Sequence, residues 1–352
     1  MSDRPPVHRG ADWRIDPALA AETLTRLRGA STVLIPSHQN VDADGLASPL
    51  ALTMALEQVG VRAVPLISDG DLPKSLEFLP GVDRVAIYGQ DDLPDYDLLC
   101  LADCSDRRRL GTFYGDDPGR VSGTVPIVNI DHHVTNDHFG AINIVEPAAA
   151  STAEIVTELL RLWGTRLTPE IAQCLLAGIY GDTLGLRTPA TTSRTMRMAA
   201  DLIDAGADLT PIVDQLFRLK PRSTVCLWRR ALDNVRWTGQ VIWTELTDEI
   251  LKECGAVPAE AEGLVNFLAG TEGSRVAGIL YANDQGWRVS LRSLLDNVDV
   301  AAIASTFGGG GHPRAAGVQI VGGEAEKQAF LSGLARLAAG STGTLASRGG
   351  SV

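Results

Sequence analysis

The chain has 352 residues, of which 45% are hydrophobic and 21% charged, with 36 Gly and 18 Pro. At about 150 residues per domain this is roughly two folded domains, which excludes a lone small binding module and a disordered chain. Lys plus Arg number 31 against 43 Asp plus Glu, a formal net charge of −12. That balance disfavours gripping long duplex nucleic acid and leaves room for a small anionic substrate only where something local, such as bound metal ions, supplies positive charge.

Residues 1–30, with Asp3-Arg4-Pro5-Pro6, carry no continuous apolar segment, and nowhere do 18 apolar residues run together, so a soluble, cytoplasmic protein with no membrane association is expected. Residues 1–15 and the Gly/Ser-rich 340–352 are expected to be flexible tails. The five cysteines, Cys100, Cys104, Cys174, Cys226 and Cys254, are odd in number and scattered, with no C-x-x-C. They read as reduced core thiols.

From residue 16 the pattern alternates between helix and strand. An amphipathic stretch runs to Arg28, and the β-branched run Thr32 to Ile35 follows; a helix is predicted over Gly45 to Val59. Strands are predicted at Arg62 to Ile67, Arg84 to Tyr88, Asp97 to Ala102, Val125 to Ile130 and Ile142 to Val145. Continuous apolar strands interleaved with helices predict an α/β domain with a doubly wound parallel sheet, in which ligands sit beyond the carboxyl ends of the strands. Helical patterns then run from the Ser151-x-x-Glu154 capping box through Pro169 to Gly181, Ser193 to Ala205 and Pro211 to Leu219. A helical linker over 220–235 leads to a second, smaller α/β domain over 236–339, with strands at Gln240 to Thr244, Val276 to Tyr281, Trp287 to Leu291 and Val318 to Val321. The first domain is thus bounded at 16–219.

Polar residues collect at the ends of the predicted strands. His38, Asp42 and Asp44 follow the first strand, Asp103 ends the strand Leu98 to Ala102, and Asp131-His132-His133 end the strand Val125 to Ile130. Any one of these reads as a cap, a turn residue or a surface pair. In a parallel sheet, however, these ends share one edge, and three acidic or imidazole elements there point to a site. Asp182 closes an otherwise apolar helix, where the macrodipole disfavours a carboxylate unless a cation is near. In the second domain Gly308 to Gly311 precede His312-Pro313-Arg314. Four glycines let backbone N–H groups approach an anion, and the strand resumes at once at Val318, so the segment lies inside the domain. Arg292, on the strand Val289 to Ser293, is a further candidate donor.

The ordered set His38-x-x-x-Asp42-x-Asp44, Asp103, Asp131-His132-His133, Asp182-Thr183 and Gly308 to His312 with Ala315-Ala316-Gly317 resembles the DHH–DHHA1 phosphoesterase family, in particular its short bacterial members of the NrnA type, oligoribonucleases that are also pAp phosphatases. The resemblance runs from about Asp16 to Ala339. Departures are Val41, where the family often has Pro, and Leu184-Gly185-Leu186-Arg187, where Gly and then Phe-Arg commonly follow Asp-Thr; they bear on the pocket wall more than on metal chemistry.

The resemblance implies a catalytic domain and a substrate-binding domain with the active site in the cleft between them, and two divalent metal ions, Mn²⁺ in first place and Mg²⁺ next. His38, Asp42 and Asp103 would hold one, and Asp44, Asp103, His132 and Asp182 the other, with Asp103 bridging; a bridging hydroxide would attack phosphorus in line. His133 would face the scissile phosphate and Asp131 orient the histidine pair, while Arg292, Gly309, Gly310, Gly311 and His312 would hold the far end of the substrate. Short RNA oligomers (nanoRNA), 3′-phosphoadenosine 5′-phosphate (pAp) and cyclic dinucleotides such as c-di-AMP are the substrates that relatives serve, and a homodimer is expected. Two domains take up nearly all 352 residues, leaving no space for an added OB-fold, which counts against a RecJ-like single-strand exonuclease. A catalytically silent nucleotide sensor would have lost metal ligands, and all six are present. A purely structural scaffold leaves unexplained why four of the six histidines lie inside these motifs.

Overall fold

The computed structural model describes residues 13–122, 124–261, 263–295 and 297–340; the side chains of Ala259 and His312 lie outside this description, as do the expected tails at 1–12 and 341–352. The chain divides into two compact units after Leu219. No helix among the described residues is long and apolar enough to cross a membrane.

The first unit contains α1 (Pro17–Arg28), β1 (Thr32–Pro36), α2 (Ala43–Glu57), β2 (Arg62–Ile67), β3 (Ala86–Ile87), β4 (Leu98–Ala102), α3 (Gly111–Asp116), β5 (Ile127–Asp131), β6 (Ile142–Val145), α4 (Thr152–Leu162), α5 (Pro169–Asp182), α6 (Ser193–Asp204) and α7 (Leu209–Val213). Its six strands form one parallel sheet in the order β3-β2-β1-β4-β5-β6. Every residue of β1, β4 and β5 is buried, as the uninterrupted apolar runs predict for a sheet covered on both faces. α2 is apolar all round and buried over nearly its whole length against the sheet, α4 and α5. Side-chain caps set the helix starts: Asp16 accepts from Ala18 N, Ser151 from Glu154 N, Thr168 from Ile171 N with Pro169 in the first turn, and Thr192 pairs reciprocally with Thr195.

Among the boundaries that differ from the sequence reading, three stand out. α2 starts at Ala43 and not Gly45, because Asp42, whose Oδ1 accepts from Gly45 N at 2.9 Å, is the cap and Asp44 lies within the first turn. The strand expected at Arg84 to Tyr88 shrinks to Ala86–Ile87, since Val82 to Arg84 close a 3-10 turn. Order also begins before residue 16: Trp13 and Ile15 are buried, and the Arg194 guanidinium lies 3.8 Å from the Trp13 ring centroid.

The second unit contains α8 (Arg222–Asp233), β7 (Arg236–Thr238), β8 (Val241–Leu246), α9 (Asp248–Cys254), α10 (Leu264–Ala269), β9 (Val276–Asn283), β10 (Gly286–Arg292), α11 (Val300–Ser305), β11 (Gly310–His312), β12 (Ala315–Val321) and α12 (Glu324–Gly340). Its sheet runs β11-β12-β10-β9-β8-β7, antiparallel except for the β8–β9 pair. Alternation along β8 splits the core: Val241 and Trp243 face a cluster with α11 and α12, Ile242 and Leu246 one with α8 and α10. The helix read as a linker over 220–235 therefore belongs to this unit, with Leu227 and Ala231 fully buried in the second cluster.

Two further expectations are corrected here. Cys226 and Cys254 form a disulfide joining α8 to α9, with Cα atoms 5.5 Å apart, and only Cys100, Cys104 and Cys174 are free buried thiols. A separation of 28 residues has no motif to announce it, and helix packing makes the pair. The glycine run is not an open loop: Gly310 to His312 are strand β11, paired with Ala315 to Gly317. A Cβ on Gly309 would stand 2.8 Å from Val318 Cγ2, and one on Gly311 2.7 Å from the Ala316 Cα, so this tight hairpin itself requires glycines there.

Candidate metal centre

The chain leaves β1 toward β2 and β3 on one side, and then returns to add β4, β5 and β6 on the other. The switch point of the sheet is thus the crevice beyond the carboxyl ends of β1 and β4. His38 and Asp42 lie just past β1, Asp44 in the first turn of α2, Asp103 immediately after β4, and Asp131 to His133 at the end of β5. Asp182 is the last residue of α5, which packs along α2. Three strand ends and one helix end thus meet at one edge.

Ligand atoms of His38, Asp42 and Asp103 lie within 4.8 Å of one another, and so do those of Asp44, His132 and Asp182 and those of Asp103, His132 and His133. His38 Nε2 is 3.3 Å from Asp103 Oδ2 and 3.7 Å from Asp42 Oδ1; His132 Nε2 is 3.0 Å from Asp182 Oδ2 and 3.5 Å from Asp103 Oδ1. Asp103 therefore faces both histidines. Its backbone is left-handed, φ 63°, and its N–H still donates to Ile130 O at 3.0 Å, so the carboxylate turns off the strand end into the basin while the ladder continues.

The donor set fits a divalent cation. The Nδ1 of His38 bonds Gln39 O at 2.8 Å, and its buried Nε2, aimed at two carboxylates, has no hydrogen-bond partner among the described residues. An acceptor nitrogen facing acceptor oxygens requires a positive charge between them. A proton does this in the metal-free chain: burial opposes the charged imidazole, but Asp103 and Asp42 outweigh it and hold His38 up at about 10. His132 is likewise raised to about 10, against burial, by Asp182, Asp103 and Asp44. Burial, followed by the Asp103 charge, pushes Asp44 well up, and burial also raises Asp182 against the pull of His132. Asp103, despite burial, is held far below the usual carboxylate range by His38, His132 and His133. Four carboxylates and two imidazoles of this kind suit a hard or borderline ion better than a thiolate-bound structural zinc.

Supporting contacts fix the cluster. Asp44 accepts from Thr152 N at 2.6 Å and Ala153 N at 2.9 Å, the start of α4, and from Ser48 Oγ at 2.9 Å. Thr152 Oγ1 donates to Asp103 Oδ1 at 3.0 Å. The fully buried Asp131 takes His133 Nδ1 at 2.7 Å and Asn136 Nδ2 at 2.6 Å, which fixes the ring of His133. In the second unit the Nε of Arg292 donates to Asn266 Oδ1 at 3.0 Å.

Residues 32–179 match the DHH family, N-terminal domain, and residues 241–339 match the DHHA1 domain. A bifunctional oligoribonuclease and PAP phosphatase NrnA of Thermus thermophilus is 32% identical over 306 residues, 86% of this chain and 88% of that protein. The chain belongs to the DHH–DHHA1 family. The similarly named protein of Bacillus subtilis is 28% identical over 82% of this chain and 89% of its own length. Among solved structures, an exopolyphosphatase-related protein from Bacteroides fragilis shares the fold, with a TM-score of 0.84, 22% identity and coverage of 94% of this chain and 99% of that one.

Within this DHH–DHHA1 chain, several residues at the centre escape a motif search. Thr152 was visible only as part of a capping box, and Ser48 only as a polar residue in an apolar helix. Asn136 carried no signal beyond its place five residues after Asp131. Arg109, whose Nη1 lies 3.3 Å from His133 Nε2, is hidden in the run Arg107-Arg108-Arg109, which reads as a solvated charge cluster.

Proposed function

We propose that this protein is a metal-dependent phosphoesterase that hydrolyses short oligoribonucleotides and pAp. The observation that carries the reading is the pair of ligand sets, His38/Asp42/Asp103 and Asp44/His132/Asp182, which open on one basin at the switch point of the sheet. The activities named for the Thermus and Bacillus relatives supply the substrate class.

Two divalent cations, with Mn²⁺ as the leading choice, would provide Lewis acidity toward the phosphoryl oxygens and make water a stronger nucleophile at neutral pH. The chain's own residues do the rest. Asp103 serves both ligand sets, so one buried carboxylate sets their separation. Asp131, locked by Asn136, holds the ring of His133 through its Nδ1, and the imidazole fixed in this way is the group assigned to face the scissile phosphate. Arg292, the backbone of Gly309 to Gly311 and His312 are the proposed contacts for the remote phosphate or base. Contacts to a remote phosphate or base as well as to the scissile phosphate favour short oligomers, of about 2–5 nucleotides.

Turnover measured side by side with Mn²⁺ on pApA, a 24-nucleotide RNA, pAp and c-di-AMP tests this. The expected order is pApA and pAp well ahead of the long strand and the cyclic dinucleotide. Equal or faster turnover of the long strand makes the protein a processive nuclease, and no hydrolysis of any of the four rejects the phosphoesterase reading.

A further inference from the structure

The loop after β4 carries three consecutive arginines, and only one of them faces the metal centre. Arg107 is used structurally: Nη2 donates to Phe139 O at 3.0 Å, and the guanidinium lies 5.2 Å from the Phe139 ring centroid. Arg108 is exposed and paired with Asp106, its Nε 3.1 Å from both carboxylate oxygens. Arg109 differs. It is half-buried, its backbone carbonyl accepts from Gln39 N at 2.5 Å beside His38, and its guanidinium meets the imidazole of His133. No carboxylate pairs with it among the described residues, although the centre alongside holds four.

We infer that Arg109 is a catalytic residue that binds a non-bridging oxygen of the scissile phosphate. The inference rests on the phosphoesterase reading and assigns the charge which that reading leaves out. A half-buried guanidinium without a carboxylate partner is held at a cost unless an anion completes it. The group that Arg109 meets is an imidazole and not a carboxylate: His133 Nε2, 3.3 Å from Nη1, offers a single ring nitrogen and no carboxylate charge to complete the guanidinium. A guanidinium has five N–H donors in a rigid fork, so those not aimed at His133 remain to take phosphate oxygens. The tie from Gln39 N places the arginine's backbone directly beside the His38 ligand, so the fork is anchored at the rim of the basin and not on a mobile tip. As the charge on the phosphoryl oxygens shifts in the transition state, such a fork stabilises it without needing to reorganise.

The test uses the full chain loaded with Mn²⁺, with Arg109→Ala, Arg109→Gln and Arg109→Lys. Three quantities are measured: bound metal, calorimetric affinity for AMP as the phosphate probe, and kcat/KM on pApA and on bis(p-nitrophenyl) phosphate. The Ala and Gln variants are expected to keep wild-type metal content, to bind AMP at least tenfold more weakly, and to lose about 10- to 100-fold in kcat/KM on both substrates. Lys should recover part of each loss, since it restores the charge and not the fork. A loss on both substrates separates Arg109 from Arg292, whose proposed contact is with a remote phosphate or base that the small diester lacks. Arg109→Ala is also made in a His133→Ala background: a further loss of AMP affinity there shows that the arginine acts on the phosphate directly. Unchanged AMP affinity in that background, or in the single variants, overturns the proposal and leaves Arg109 as a prop for His133. Loss of metal in both neutral variants overturns it equally. If the wild type binds AMP but hydrolyses neither substrate, the phosphoesterase reading fails, while the AMP measurement still decides the role of Arg109 as a phosphate ligand.

Discussion

Replacing Gly178 by Ala puts a methyl group where three elements of the centre converge. Its carbon would stand 2.6 Å from Asp44 Oδ1 and 2.7 Å from the Ala153 Cβ, roughly 1 Å short of ordinary van der Waals contact. Neither neighbour yields easily: Asp44 is completely buried and bonded to Thr152 N, Ala153 N and Ser48, and Ala153 is fixed in the first turn of α4. The retreat must come from α5, which carries Asp182 four residues on, away from α2. Overpacking of this kind costs about 1–3 kcal/mol, and the better helix propensity of Ala returns about 1 kcal/mol, so a net loss of about 0–2 kcal/mol is expected. The functional effect is larger, because a ligand misplaced by about 1 Å costs on the order of 100-fold in rate. Urea denaturation and Mn²⁺-supported hydrolysis of bis(p-nitrophenyl) phosphate measure the two effects, with Gly115→Ala as the control, since apart from its chain neighbours and its own helix backbone nothing lies within 4 Å of that added carbon. A Gly178→Ala protein as stable and as active as Gly115→Ala would refute the claim that the contact of α5 with α2 sets the metal centre.

Asp103→Asn keeps the left-handed backbone, which Asn tolerates, and removes the charge both ligand sets share; hydrolysis should fall by at least 1,000-fold and bound Mn²⁺ should drop, as checked by kinetics and elemental analysis of the folded variant. Leu184, 50% exposed with φ 50°, occupies a conformation that costs a branched residue, so Leu184→Gly should raise stability by about 1 kcal/mol in a denaturant titration despite the added chain entropy. Asp97 accepts from Ser31 N at 2.8 Å and Thr32 N at 3.0 Å, backbone bonds that lower its carboxyl below the ordinary range. A lowered folded-state value gives stability that is complete above the unfolded carboxylate range and lost as pH falls through the folded value. Asp97→Asn should therefore be less stable than wild type at pH 7, with the gap closing in acid when both are unfolded by urea at each pH.

Local chemistry made much of this molecule legible in its sequence. The uninterrupted apolar runs at Thr32, Leu98 and Ile127 demand a sheet covered on both faces, and a parallel arrangement brings their carboxyl ends to one edge; His38, Asp103 and Asp131 to His133 follow from that alone. The ordered spacing of those residues, together with Asp182 and the glycine run, was specific enough to point to the DHH–DHHA1 family. Other features depend on contacts between residues far apart in the chain, and no period or motif encodes them. Cys226 meets Cys254 only because α8 packs on α9. Gly309 and Gly311 are required by the close approach of β12, which a reading of the run as an open loop does not foresee. Thr152 reaches Asp103 across 49 residues, and α5 can bring Asp182 to the basin because Gly178 and Gly181 lack side chains where α2 passes. Arg109 illustrates the difference: three arginines in a row have the same side chain and nearly the same sequence surroundings. Which of them pairs with an acid, which stacks on an aromatic ring and which faces the metal centre is decided by the direction each side chain takes from the folded loop and by what the rest of the chain has placed there.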